Sequence, residues 1–164
     1  MKSILVPIDC SDATPRVLDV ARQLAKALSA GIHLVHVKEV LPAVPPSVLG
    51  YGVAGMSELM PVSSNPIPVL DPMPQPTPLN KSERVKLNEW QKQIAQDGLK
   101  VTLREPTGAI VDEILGAADA VDADLIVMGR HGHGAMYNLL VGSVTEGVVK
   151  SSARPVLLVP SPKS

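Results

Sequence analysis

Short apolar runs alternate with amphipathic helical patterns along this chain of 164 residues, and that alternation limits the folds it can adopt. The runs contain few polar residues, as expected of parallel strands buried on both faces. Strands that alternate with helices form a parallel sheet covered by helices on both sides. The third run alternates apolar and polar residues, which is typical of a strand near a sheet edge. The five predicted strands comprise residues 3–8, 32–37, 99–104, 124–128 and 155–160.

Start and stop residues border the helical patterns between these strands. Thr14 followed by Pro15 predicts a helix with Thr14 as its N-cap, and Gly31 predicts the end of that helix. Gly98 is the expected stop of the next one. That helix is predicted over residues 80–97. Of the two helices that follow, one begins after Gly108 and the other covers residues 143–151.

Residues 41–79 interrupt the alternation after the second strand. They contain ten prolines, a density that neither a helix nor a central strand tolerates. The segment is also too apolar for a solvated linker. Two interpretations stay open: part of it packs on the domain or on a partner subunit, or it is a mobile surface excursion.

Length, charge and cysteine content restrict the class of protein. The length is that of one domain, residues 1–164, with the proline-rich segment 41–79 as an insertion. A formal net charge of −1 gives no electrostatic reason to expect nucleic acid. No apolar run approaches the roughly eighteen residues of a membrane span. The single cysteine, Cys10, fits a reducing compartment, so a cytoplasmic protein without a membrane partner is predicted.

A glycine-rich stretch, residues 128–145, lies between the fourth predicted strand and the following helix. Glycine allows the backbone to approach a ligand closely, and N–H groups at a helix start converge on anions. Ser143 and Thr145 add hydroxyls at that start, which cap the helix or bind phosphate oxygens. Asp9 ends the first strand and would flank the same crevice if the first and fourth strands are neighbours. The stretch therefore predicts a phosphate site for a nucleotide.

The glycine spacing resembles the signature of the universal stress protein family in its ATP-binding branch. Gly129, Gly132, Gly142 and Ser143 fit the pattern G-x2-G-x9-G-[ST]. The resemblance extends to the opening I-L-V-P-I-D-C-S, to D-A-D-L-I-V-M-G and to the closing S-S-A-R-P-V-L-L-V-P. It implies a Rossmann-like, doubly wound α/β domain with a five-stranded parallel sheet of order 3-2-1-4-5.

The same resemblance implies the residues of an ATP site. Pro7 and Asp9 would lie by the ribose and adenine, and Val37 by the adenine. The residues that would line the nucleotide and cradle its phosphates are Met128, Gly129, Gly132, Gly142, Ser143, Val144 and Thr145. A carboxylate after a strand suits ribose hydroxyls, which agrees with the implied place of Asp9, although a turn-forming role is the alternative for this residue.

The histidines of the glycine-rich stretch leave alternatives open. Arg130 or a protonated His133 would pair with phosphates. A metal site at His131 and His133 is an alternative, but two ligands without a third are a weak set. Mg²⁺ held mainly by ATP phosphates and water is the favoured ion. His33 and His36 lack ligand spacing and are predicted to be satisfied, partly buried side chains.

Three functions compete for this chain. The favoured one is an ATP-binding regulatory or stress-response protein, which the resemblance implies to be a homodimer through the fifth strand (Val156, Leu157, Leu158, Val159). The alternative is a slow ATPase or autophosphorylating enzyme, although the chain lacks the P-loop signature G-x4-G-K-[ST] and obvious catalytic residues. The third is a nucleotide-independent interaction protein with a vestigial motif.

Overall fold

The structure, a computed structural model, describes residues 1–39, 81–130 and 142–160. The predicted insertion at 41–79 lies outside these residues. No helix in the described ranges is both long and apolar enough to cross a membrane. The elements are β1 (Ser3–Pro7), α1 (Thr14–Leu28), β2 (Gly31–Val35), β3 (Lys38–Glu39), α2 (Lys81–Gln96), β4 (Val101–Arg104), β5 (Thr107–Gly108), α3 (Ile110–Ala120), β6 (Leu125–Gly129), α4 (Ser143–Ser151) and β7 (Val156–Val159).

Five strands form one parallel sheet in the order β4-β2-β1-β6-β7. This order confirms the predicted doubly wound α/β sheet of order 3-2-1-4-5. The third predicted strand, β4, lies at an edge, as its alternating pattern indicated. A second sheet of two short parallel strands, β3 and β5, was not predicted. Two-residue strands such as Lys38–Glu39 and Thr107–Gly108 are too short for any apolar periodicity to reveal them.

Both faces of the sheet are buried, which explains the nearly continuous apolar runs. Successive strand residues point to opposite faces, so Ile4 joins the core under α1 and α2 while Leu5 joins the core under α3 and α4. Both side chains are fully buried. On β6, Val127 joins the core under α1 and α2, and Ile126 joins the core under α3 and α4. The two cores hold the carboxyl ends of β1 and β6 in a rigid frame.

Two predicted boundaries of α1 are wrong. The N-cap is Ala13, which makes no side-chain capping bond, and the Thr14 hydroxyl instead donates to Asp9 Oδ1 at 3.2 Å. Because Thr14 is the first residue of the helix and not the residue before it, its hydroxyl does not occupy the N-cap position that the sequence pattern assigned to it. Gly31 begins β2 instead of ending α1. Ser29 ends the helix in the left-handed conformation (φ 52°), and its N–H donates to Ala25 O.

Candidate functional site

The carboxyl ends of β1 and β6 meet at one edge of the sheet. The two strands pair in parallel, with Ile4 opposite Leu125 and Leu5 opposite Ile126. From β1 the chain moves to β2 on one side, and from β6 it moves to β7 on the other. This reversal is the topological switch point, where ligands bind in open α/β sheets. The pairing of β1 with β6 confirms the prediction that these two strands are neighbours, so the turn after β1 and the chain after β6 leave the sheet at the same edge.

The turn after β1 is organised by Asp9. Its Oδ1 accepts the N–H of Ser11 at 3.0 Å and the hydroxyl of Thr14 at 3.2 Å. The turn-forming role that the sequence left as an alternative is thus present. It does not exclude a ligand, because a carboxylate offers roughly four acceptor positions. Cys10 follows with a positive φ of 61°, which bends the chain sharply between β1 and α1.

Cys10 is buried and Ser11 is half-buried in the same turn. Burial raises the pKa of the Cys10 thiol to about 11, with smaller contributions in the same direction from Glu83 and Asp9 and an opposing one from Lys86. The thiol is protonated at neutral pH and packs in the core under α1 and α2. The Ser11 hydroxyl oxygen is buried and has no hydrogen-bond partner among the described residues.

The second half of the site joins the end of β6 to the start of α4. The N–H of Gly142 donates to Arg130 O at 3.0 Å, which brings residues 130 and 142 together. The Thr145 hydroxyl donates to Gly129 O, also at 3.0 Å. Gly142 is the N-cap of α4 and supplies no side-chain acceptor for the N–H groups of the first turn. The positive end of the helix dipole thus lies at the switch point.

The structure describes every residue predicted to form the site except Gly132 and His133. Ser143 is exposed, Val144 is half-buried, and Thr145 and Met128 are buried at 3% and 4% exposure. Thr145 uses its only O–H on Gly129 O, so in this arrangement its backbone N–H is the donor that remains for an anion. Val37 packs against the core under α3 and α4. Gly132 and His133, together with His131, lie outside the described residues.

The histidines of β2 and its extension are satisfied, as predicted. His33 Nδ1 lies 2.8 Å from Thr102 Oγ1. Burial and the nearby Arg104 lower the pKa of His33. His36 is buried and its Nδ1 donates to Ile8 O at 2.8 Å, which ties the end of β2 to the turn after β1. Sequence analysis missed this supporting contact, and no spacing rule would have found it. Within the described ranges, no group of three His, Cys, Asp or Glu residues is placed to hold a metal ion.

A separate open cavity of about 460 Å³ lies beside the end of β4. It is lined by Arg104, Glu105, Pro106, Glu113, Gly116 and Ala117. None of the predicted site residues that the structure describes is part of this lining. This cavity is therefore separate from the candidate site formed by β1, β6 and the start of α4.

Comparison with known proteins relates this arrangement to others. The sequence model of the universal stress protein family matches residues 1–160. Universal stress protein MJ0531 from Methanocaldococcus jannaschii is 31% identical over 163 residues, which cover 99% of this chain and 84% of the relative. The structure of MJ0577 from the same organism matches with a TM-score of 0.72 and 26% identity, over 99% of this chain and 98% of that one. A universal stress protein from Archaeoglobus fulgidus, solved in complex with dAMP, shares the fold (TM-score 0.58, 20% identity, 96% and 97% covered).

Proposed function

Because the chain belongs to the universal stress protein family, we propose that it is a nucleotide-dependent regulatory protein that binds ATP at the switch point between β1 and β6. The observation that carries this proposal is the start of α4, where Gly142 offers no side-chain cap and lies against the end of β6. Such a helix start attracts phosphate through its N–H groups and its dipole. The dAMP complex of the Archaeoglobus fulgidus relative supports an adenine nucleotide as the class of ligand.

The proposed roles follow the resemblance to the family, and the chemistry of Asp9 and Ser143 agrees with them. Asp9 accepts hydrogen bonds from the ribose hydroxyls, while Pro7 and Val37 contact the adenine and Met128 and Gly129 line the nucleotide. The phosphates bind the backbone N–H groups of residues 142–145 and the hydroxyl of exposed Ser143. Gly132 and His133 complete the cradle in this proposal. Mg²⁺ would be held mainly by the phosphates and water, as is usual for this ion.

We further propose that β7 is the interface of a homodimer. It is the outermost strand, paired with β6 on one side among the described residues. Leu157 is 38% exposed on this strand, and Val149 of the adjoining α4 is 48% exposed. An apolar sheet edge invites pairing with a second copy across a two-fold axis.

The nucleotide retained by the purified protein tests the proposed function. Denaturing the purified protein should release an adenine nucleotide, which mass analysis identifies. Calorimetry should show tighter binding of ATP than of GTP. Gly142→Val is the test variant. Gly142 has φ −73° and ψ 154°, an extended conformation that valine also adopts, so the substitution adds bulk without backbone strain. It should keep the circular dichroism spectrum and lose ATP binding. Unchanged affinity would overturn the assignment, and rapid ATP turnover would identify an enzyme instead of a regulatory binder.

A further inference from the structure

Helix α4 contains a glycine where it packs closely against α3. Gly147 lies in the interior of α4, a nine-residue helix, where glycine is destabilising relative to alanine. A Cβ at this position would lie 2.8 Å from Val111 Cγ2 and 3.5 Å from Val111 Cγ1. Carbon atoms in ordinary contact are about 3.5–4.0 Å apart, so an alanine does not fit without movement. The glycine therefore allows a close approach of the two helices.

Val111 has little freedom to relieve such a contact. A valine in a helix strongly prefers one χ1 rotamer, and half-buried Val111 also packs against the core under α3 and α4. The distance between two packed helices is set by the side chains at their contact. A larger residue at position 147 would consequently displace α4 away from α3 by several tenths of an ångström or more.

Gly147 is close in sequence to the proposed phosphate cradle. Residues 142–145 form the first turn of α4, and Thr145 and Gly142 tie this turn to the end of β6. Val148, the residue after Gly147, is fully buried in the core. A displacement of α4 at position 147 is therefore transmitted to the N–H groups of the first turn, which need distances of about 2.7–3.2 Å to bind an oxygen.

We infer that the close contact of Gly147 with Val111 positions the first turn of α4, and that it thereby sets the affinity of the site for the polyphosphate part of its ligand. This inference rests on the proposed function for its ligand, but the placement of the turn is a property of the protein alone. Gly147 is a positioning residue, since it acts through the helix and not through contact with the nucleotide.

The experiment compares Gly147→Ala with Gly116→Ala. Gly116 lies in the interior of α3, and a Cβ there meets nothing within 4 Å, so this variant changes helix propensity without steric conflict. Gly147→Ala should lower ATP affinity about tenfold, the effect of losing roughly one hydrogen bond to a charged group. Adenosine affinity should hardly change, so the ratio of ATP to adenosine affinity falls. Gly116→Ala should leave that ratio unchanged.

Rescue and amide chemical shifts separate this inference from the proposed function. Adding Val111→Ala to Gly147→Ala should restore the ATP to adenosine ratio and the amide shifts of residues 143–145. An equal loss for ATP and adenosine, or no recovery in the double variant, would overturn the inference. If the wild-type protein binds no nucleotide, the proposed function fails. The amide shifts of the unliganded variants then decide the positioning role: shifts that move in Gly147→Ala and return in the double variant support it, and unmoved shifts contradict it.

Discussion

At the scale of single residues, Asp9 and Thr145 each support the proposed site through a contact that the motif does not reveal. The sequence predicts that the Thr145 hydroxyl caps the helix or binds phosphate, whereas in the structure this hydroxyl donates to Gly129 O and fixes α4 against β6. Asp9 similarly holds its own turn through Ser11 and Thr14. The glycine spacing could predict that these residues belong to one site. It could not predict their internal hydrogen bonds, because those depend on distances that only the folded sheet determines.

Replacement of Thr145 by valine should destabilise the protein through Gly129. The variant keeps the shape of the side chain but removes the O–H, so Gly129 O loses its donor beside a side chain that is 3% exposed. Because Gly129 is half-buried, loss of this hydrogen bond should cost about 0.5–1.5 kcal/mol of unfolding free energy. Urea denaturation measures this cost. Thr107→Val, on exposed β5, is the control and should change stability little; an equal effect of both variants would contradict the role of this bond.

Asp9→Ala should weaken ATP binding more than the loss of its turn contacts explains. The variant removes the acceptor of the Ser11 and Thr14 bonds and also the proposed acceptor for ribose hydroxyls. Thr14→Ala breaks one of the same internal bonds and keeps the carboxylate. Calorimetry should show about tenfold or greater loss of affinity for Asp9→Ala, as for a hydrogen bond to a charged group, and a smaller one for Thr14→Ala. Equal losses would assign Asp9 to the turn alone.

At the scale of elements, an ion-pair cluster joins α1 to the end of α2. The Arg22 guanidinium donates to Asp97 Oδ2 through Nε and Nη2, and Lys26 Nζ lies 3.2 Å from Asp97 Oδ1. The hydrogen bond from Arg22 holds the pKa of Asp97 below its ordinary value, with a further contribution from Lys26. These contacts fasten the two helices that cover one face of the sheet.

Asp97→Asn should lower the melting temperature at neutral pH and have less effect in acid. A carboxyl group whose pKa is lowered by folding stabilises the native state above its unfolded pKa, near 3.8, and loses that contribution as pH falls through the lower native value. The difference between wild type and variant should therefore be present at pH 7 and shrink below about pH 4. Glu89→Gln, exposed on the same helix, is the control. A difference that does not vary with pH would exclude the ion pair as the cause.

Sequence patterns predicted the elements better than their ends. Apolar periodicity identified the five strands of the main sheet and α1 to α4, because burial on two faces leaves a strong signal in β1, β2 and β6. The positive φ of Gly98, 77°, agrees with its predicted place as a helix stop. The end of α1 at Ser29 was not predicted, since a serine in the left-handed conformation contradicts the usual preference for glycine. The close contact between Gly147 and Val111 could not be predicted from the sequence either, because it depends on how α3 and α4 pack.

At the scale of the whole molecule, the strand order determines what each edge of the sheet offers. β1 and β6 at the centre create the switch point, whereas β7 ends the sheet on the side next to α4. The proposed phosphate cradle and the proposed dimer edge thus share α4, which carries residues 143–145 at its start and exposed Val149 near its end. If the interface of a second copy paired at β7 extends to Val149, it includes the helix that is proposed to bind the phosphates. Nucleotide binding and assembly are then expected to influence each other.

Leu157→Lys should therefore convert the proposed dimer into a monomer. Leu157 is 38% exposed on the edge strand, and a lysine there would place a positive charge on the apolar edge of both copies, which opposes their pairing. Leu28→Lys is the matched control, since Leu28 is 42% exposed at the end of α1 and is not part of the edge strand. Sedimentation equilibrium should give a dimer for the wild type and for Leu28→Lys, and a monomer for Leu157→Lys. A wild-type monomer would contradict the proposed dimer, and a dimer that survives Leu157→Lys would show that its interface is not β7. If α4 does couple the two events, the monomeric variant should also bind ATP with an affinity different from that of the wild type.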